Sequence, residues 1–199
     1  MKLKLIFATL LTLLCNIAAN AQEGITSKFY IEPKVNVAAA CVGILNPAIE
    51  IGFGKRSAIE YSGVFSFAKD EFLNTGYPLL LSMNILEYRH YIKQGHKGLF
   101  LGADLCWDLF KIHKNLIPLV AEGTDNTNYD WGIGTTLGLS VGYKFNLTKK
   151  LLLELSASGG WRLTQHESYG HNGELLTAMN ASGEWTAYKC GVYLSYRFK

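Results

Sequence analysis

From residue 129 to 145 the chain reads YDWGIGTTLGLSVGYKF, and its two parities are built of different materials. Trp131, Ile133, Thr135, Leu137, Leu139, Val141, Tyr143 and Phe145 fall on one parity; Gly132, Gly134, Thr136, Gly138, Ser140, Gly142 and Lys144 fall on the other. A repeat of two is the repeat of a β-strand. A helix here would carry several interior glycines, each costing up to about 1 kcal/mol relative to alanine. The segment is therefore expected to be a strand with one apolar face and one face of small residues.

Two further segments repeat the pattern. In 151–162, Leu151, Leu153, Leu155, Ala157, Gly159 and Trp161 oppose Leu152, Glu154, Ser156, Ser158, Gly160 and Arg162. In 187–198, Tyr188, Cys190, Val192, Leu194, Tyr196 and Phe198 oppose Ala187, Lys189, Gly191, Tyr193, Ser195 and Arg197. The first face of all three carries no charge. Segments 28–41, 46–54, 57–68, 81–93 and 98–110 alternate less cleanly, with a phase change near Ile85–Leu86 that predicts a bulge. The expectation is an all-β chain of eight strands.

Alternation does not say which face meets solvent. A water-soluble barrel turns its polar face outward, and that face should be rich in Lys, Glu, Asn and Gln. Here the polar face is mostly Gly, Ser, Thr and Ala with a few long charges, which suits the crowded interior of a narrow barrel. The uncharged face then suits lipid, where Arg or Lys at midplane costs about 2–4 kcal/mol. The inward charges are Glu32, Lys34, Glu50, Glu60, Glu87, Arg89, Asp104, Asp108, Lys144, Glu154, Arg162, Lys189 and Arg197. An eight-stranded barrel is just wide enough for side chains to fill. Acids and bases nearly balance, and isolated buried charges are costly. A packed internal ion-pair network is expected, with a narrow solute channel as the competing reading.

Connection lengths point the same way. Short polar turns at 54–57, 94–97 and 147–150 alternate with longer connections at 69–79, 111–128 and 166–183, while 42–45 is short but on the long side. Outer-membrane barrels have short periplasmic turns and longer external loops. Phe29, Tyr30, Tyr91, Trp131, Tyr143, Phe145, Trp161, Trp185, Tyr196 and Phe198 near strand ends are expected to form interfacial girdles.

Residues 1–21 have the layout of a secretory signal peptide: Lys2 and Lys4, an apolar run to about Ile17, and a small-x-small site at Ala19-Asn20-Ala21. The apolar run is shorter than the ~20 residues a spanning helix needs. Residues 22–199 would then form one barrel domain in the outer membrane. A formal charge of +3 excludes a basic nucleic-acid binder. Cys41, Cys106 and Cys190 lack zinc-site spacing and are expected to be free thiols. Neither a metal nor another cofactor is expected.

The whole segment after the leader resembles the small eight-stranded outer-membrane barrels of the OmpA transmembrane-domain and OmpX type, found in Gram-negative bacteria. It is more closely similar to a domain-of-unknown-function family of such barrels. The residues that carry this are the run from Asn46-Pro47 through Glu50, Gly52 and Gly54-Lys55-Arg56, then Leu86-Glu87-Tyr88-Arg89-His90-Tyr91, and the glycine alternation at 132–142. The resemblance implies an eight-stranded antiparallel up-and-down transmembrane β-barrel, but no activity. The ending at Tyr196 and Phe198 looks like the strand signal read by the barrel-assembly machinery.

The leading functional expectation is a structural or interaction barrel among outer-membrane lipid and lipopolysaccharide. Its outer loops would offer an extracellular protein or glycan a surface. The alternative is a lipid A acyl-ester hydrolase. Lipid A deacylase barrels of the PagL type carry a His-x-Ser pair and a later Glu, and His166, Ser168 and Glu174 supply that pattern here. His166 would act as base and Ser168 as nucleophile. Tyr169 stands where that family prefers Asn.

Overall fold

The computed structural model describes residues 29–113, 116 and 127–198. The expected leader and most of the 111–128 connection lie outside the described residues. The elements are β1 (Tyr30–Asn36), α1 (Val37–Cys41), β2 (Pro47–Phe53), β3 (Ser57–Ala68), β4 (Leu79–Lys93), β5 (Lys97–Ile112), β6 (Thr127–Asn146), β7 (Leu151–Gly170) and β8 (Leu175–Tyr196). Each strand pairs antiparallel with the next, and β8 returns to β1, so the sheet closes into an eight-stranded up-and-down barrel. No described helix is long and apolar enough to cross a membrane, which says nothing of strands.

The alternation survives into burial. From Gly134 to Lys144 the even positions of β6 are buried and the odd ones exposed. Small residues on the inner face make room for large neighbours. A Cβ on Gly138 would collide with the Tyr188 hydroxyl, and one on Gly142 with the Phe100 ring. The glycines of β6 thus let side chains from other strands reach deep into a narrow lumen.

The wall is uneven in height. β1 and β2 have 7 residues each, whereas β6 and β7 have 20 and β8 has 22. The seam between β1 and β8 is correspondingly brief: Lys34 lies opposite Ser195, Val35 opposite Leu194 and Asn36 opposite Tyr193, with a bridge from Ile31 to Phe198.

Five expectations are corrected. The 28–41 strand ends at Asn36, whose side chain accepts from the Ala39 N–H and caps α1. The bulge expected at Ile85–Leu86 is absent: β4 stays in register with β3 and β5 there, and Met83 and Ile85 simply point inward as apolar lumen residues. The register shift lies at Tyr91/Lys93 instead. The 166–183 loop is a hairpin, with β7 running to Gly170 and β8 starting at Leu175. Residues 175–181 are exposed on both faces, so hydropathy carries no alternation to read. Tyr188 faces inward, because a register shift at Ser158/Gly159 moves it off the parity of Cys190. Tyr30 and Tyr91 are buried in the lumen and belong to no girdle.

Candidate functional site

The lumen holds the chemistry of this chain, and it is layered. At the short-turn end, His96 packs edge-on against Tyr30 and Tyr91 with ring centroids 4.8 and 5.4 Å away. Its Nε2 lies 3.0 Å from the Ser57 carbonyl oxygen. Burial lowers the pKa of this turn histidine, which keeps the ring neutral at pH 7 and lets Nε2–H donate to that carbonyl.

Above it lies a continuous ion-pair cage. Glu32, Glu50, Glu60, Glu87 and Glu154 meet Lys34, Arg89, Lys144, Lys189 and Arg197, five acids to five bases. Arg89 is the hub: its guanidinium donates to Glu50 at 2.9 Å, Glu60 at 2.7 Å, Glu87 at 2.8 Å and Glu154 at 2.9 Å. Lys34 reaches Glu50, Glu60 and Glu154 at 2.5, 2.7 and 2.6 Å. Lys189 joins Glu60 to Glu87, and Arg197 closes on Glu32 at 2.8 Å. Neutral donors complete the shell: Tyr30 and Tyr91 donate to Glu50, Ser140 to Glu87 and Ser195 to Glu32. Several of these bonds cross the barrel, from β4 to β7 through Arg89–Glu154 and from β8 to β3 through Lys189–Glu60, so the lumen is braced from wall to wall at this level.

Glu32, Glu50 and Glu154 bring three carboxylates together in the geometry of a metal site. The Lys144 ammonium sits among them at 2.9, 2.8 and 3.5 Å. A lysine already supplies the positive charge that a cation would bring.

Three expected members, Asp104, Asp108 and Arg162, stand apart from the cage. Asp104 receives the Tyr188 hydroxyl, and no salt bridge to it occurs among the described residues. Arg162 pairs with Asp108 at 2.6 Å, nearer the end of the barrel opposite the short turns. Between these levels the lumen turns apolar, with Met83, Ile85 and Cys106 packed against Val64, Leu81 and Tyr188. Tyr188 is the residue that the alternation misplaced; only the register shift aims it at Asp104.

The three residues of the hydrolase reading are not assembled. His166 and Ser168 sit on the inner face of β7, next to one another along the strand. Ser168 donates to Asp130 at 2.6 Å, not to His166. The His166 ring nitrogens face Thr164 Oγ1 and Asn180 Nδ2, each at 3.4 Å. Glu174 is exposed in the hairpin turn, where it accepts from the Asn172 N–H. A hydrolytic serine needs its base within hydrogen-bond reach, and here an aspartate holds the hydroxyl instead.

Of the three cysteines among the described residues, Cys106 is buried in the apolar layer, while Cys41 and Cys190 are exposed; all three are free. Tyr196 and Phe198 pack edge to face at the end of the closing seam, with centroids 4.8 Å apart.

No curated protein and no solved structure matches the chain. One family model does, over residues 6–198, nearly the full length. The chain belongs to the family described as "Protein of unknown function (DUF3575)".

Proposed function

We propose that the protein is a small outer-membrane barrel, an anchor that carries its outer connections at the cell surface and catalyses no reaction. One observation supports this above the rest. Outward side chains on successive strands, such as Ile31, Ile51, Ile59, Leu86, Leu105, Leu139 and Leu155, form an exposed uncharged band around the ring. The charges at mid-wall are turned inside, most of them in ion pairs. Outward charges such as Lys97, Lys111 and Glu167 are confined to strand ends. In water the band would be a very large exposed apolar patch. In hydrocarbon it faces its proper solvent.

On this reading the band contacts outer-membrane lipid and lipopolysaccharide. Tyr196 and Phe198 would present the assembly signal to the barrel-assembly machinery. The connection at 69–78 and the β7–β8 hairpin tip at 171–174 would offer an extracellular protein or glycan a surface. The cage acts as a structural plug that fixes strand order and holds the narrow lumen shut.

The test is fractionation of expressing cells, with boiled and unboiled samples compared in SDS gels. The expected result is recovery with the outer membrane and a mobility shift on boiling. Recovery in the periplasm with no shift would overturn the reading.

A further inference from the structure

The connection between β1 and β2 differs from the other described outer connections. Residues 37–45 read VAAACVGIL, without a charge or a polar side chain beyond the Cys41 thiol. The connection at 69–78 instead carries Lys69, Asp70, Glu71 and Asn74, and the tip at 171–174 carries His171, Asn172 and Glu174. Despite its composition most of the segment is not packed away; Ile44 alone packs on the cluster of Leu79, Phe110 and Ile112. Val37, Val42 and Leu45 are 36%, 39% and 55% exposed, and no residue of α1 is buried.

The strands that carry it are too short to cross a bilayer. Seven residues, rising about 3.3 Å each and tilted ~35–45°, cover roughly 17 Å. The apolar band of an outer-membrane barrel is about 25 Å tall. On the β1–β2 side the wall therefore ends inside the hydrocarbon, at the level where 37–45 begins.

The backbone of the segment is arranged for such a place. In hydrocarbon the peptide groups must find partners within the protein. Asn36 caps the helix start, and the Val42, Gly43 and Ile44 N–H groups return to Ala39 and Ala40 at 3.0–3.1 Å. Gly43, at φ +78°, takes the left-handed turn that ends the helix. Leu45 then pairs in both directions with Phe65 of β3, at 2.9 and 2.8 Å. The Asn36 amide also spans the seam, donating to the Cys190 carbonyl and accepting from the Val192 N–H.

We propose that residues 37–45 lie among the acyl chains of the outer leaflet, as a helical cap that completes the wall where β1 and β2 stop short. The inference rests on the membrane reading. Its partner is lipid hydrocarbon, continuous with the apolar outer faces of β1 and β2 at Val35 and Ile49.

Cys41 supplies the probe. In a C15A/C106A/C190A background it alone takes a nitroxide label, and the protein is refolded into phosphatidylcholine vesicles at low protein density. Accessibility to oxygen and to a water-soluble nickel chelate is then compared. A second label, at L139C in a cysteine-free background, reports the middle of the wall, and a third, at T75C, reports water. The expected result is a Cys41 label that matches Leu139, open to oxygen and at least several-fold less open to nickel than Thr75. A Cys41 label as open to nickel as Thr75, with Leu139 still lipid-like, overturns the inference and spares the membrane reading. Nickel access at Leu139 overturns both. Shielding of Cys41 that appears only at high protein-to-lipid ratio assigns the segment to a second copy of the chain and overturns the lipid assignment.

Discussion

Arg89 shows most sharply what the interior charges do. Its side chain is fully buried and ties carboxylates from β2, β3, β4 and β7 together. Taking two charges out of water costs several kcal/mol per ion, and removing one partner leaves the others uncompensated. Arg89→Met is expected to destabilise the folded barrel by about 3–5 kcal/mol. The check is the urea midpoint in detergent micelles, read by the boiled and unboiled bands. Because Glu87 is held by two of the guanidinium nitrogens, the R89M/E87Q double variant restores charge balance and recovers part of that loss. Additive losses would mean that the two side chains do not interact. This layer was legible in the sequence, since a buried parity otherwise made of Gly, Ser and Thr tolerates long charges only when they meet in the middle. Tyr30, Tyr91 and Tyr188 were not. An aromatic near a strand end has the same composition whether it faces lipid or lumen, and Tyr188 changes face through a register shift that leaves no mark in its own neighbours.

At the level of elements, legibility followed the difference between the two faces. β6 could be read almost residue by residue, because one side is apolar and the other is small. The outer half of the β7–β8 hairpin could not, because residues such as Asn180, Ala181 and Glu174 are exposed and nothing separates one face from the other. α1 was read as strand for the opposite reason: VAAAC is apolar on every face, so neither period stands out. What decides it is Asn36, whose side chain offers the Ala39 N–H an acceptor and begins a helix where alternation would have continued. The same side chain donates to Asn46 Oδ1 at 3.0 Å and to the Cys190 carbonyl. Asn36→Ala removes the cap and the seam contacts together. A lost cap alone costs about 0.5–2 kcal/mol, and each buried group left unpaired adds about 1–3 kcal/mol. The variant is expected to lower the urea midpoint and to make Cys190, on the free side of the seam, react faster with a thiol reagent. Unchanged Cys190 reactivity would separate the cap from the seam.

For the whole molecule, the cage and the uneven wall are two consequences of one arrangement. Small residues inside let the barrel close tightly, and the paired charges then fill what space remains. A conducting pore needs a continuous wet path, but here bonds run between facing walls: Arg89 of β4 to Glu154 of β7, Lys144 of β6 to Glu32 of β1, and Lys189 of β8 to Glu60 of β3. Above them Met83, Ile85 and Cys106 form an apolar layer. An ion passing through would have to break several buried pairs and then cross that layer, giving up its hydration at each step. Purified protein in planar bilayers is therefore expected to give no discrete conductance steps. Weakening the brace on both walls, as in E60Q/K189M, removes the ion pairs of Glu60 with Lys34, Arg89 and Lys189 and of Lys189 with Glu87. It takes away one charge of each sign, so the interior stays balanced, and Arg89 and Lys34 keep Glu50 and Glu154. Steady single-channel steps in the parent protein, altered in size by that variant, would show that the charges line a path rather than fill it.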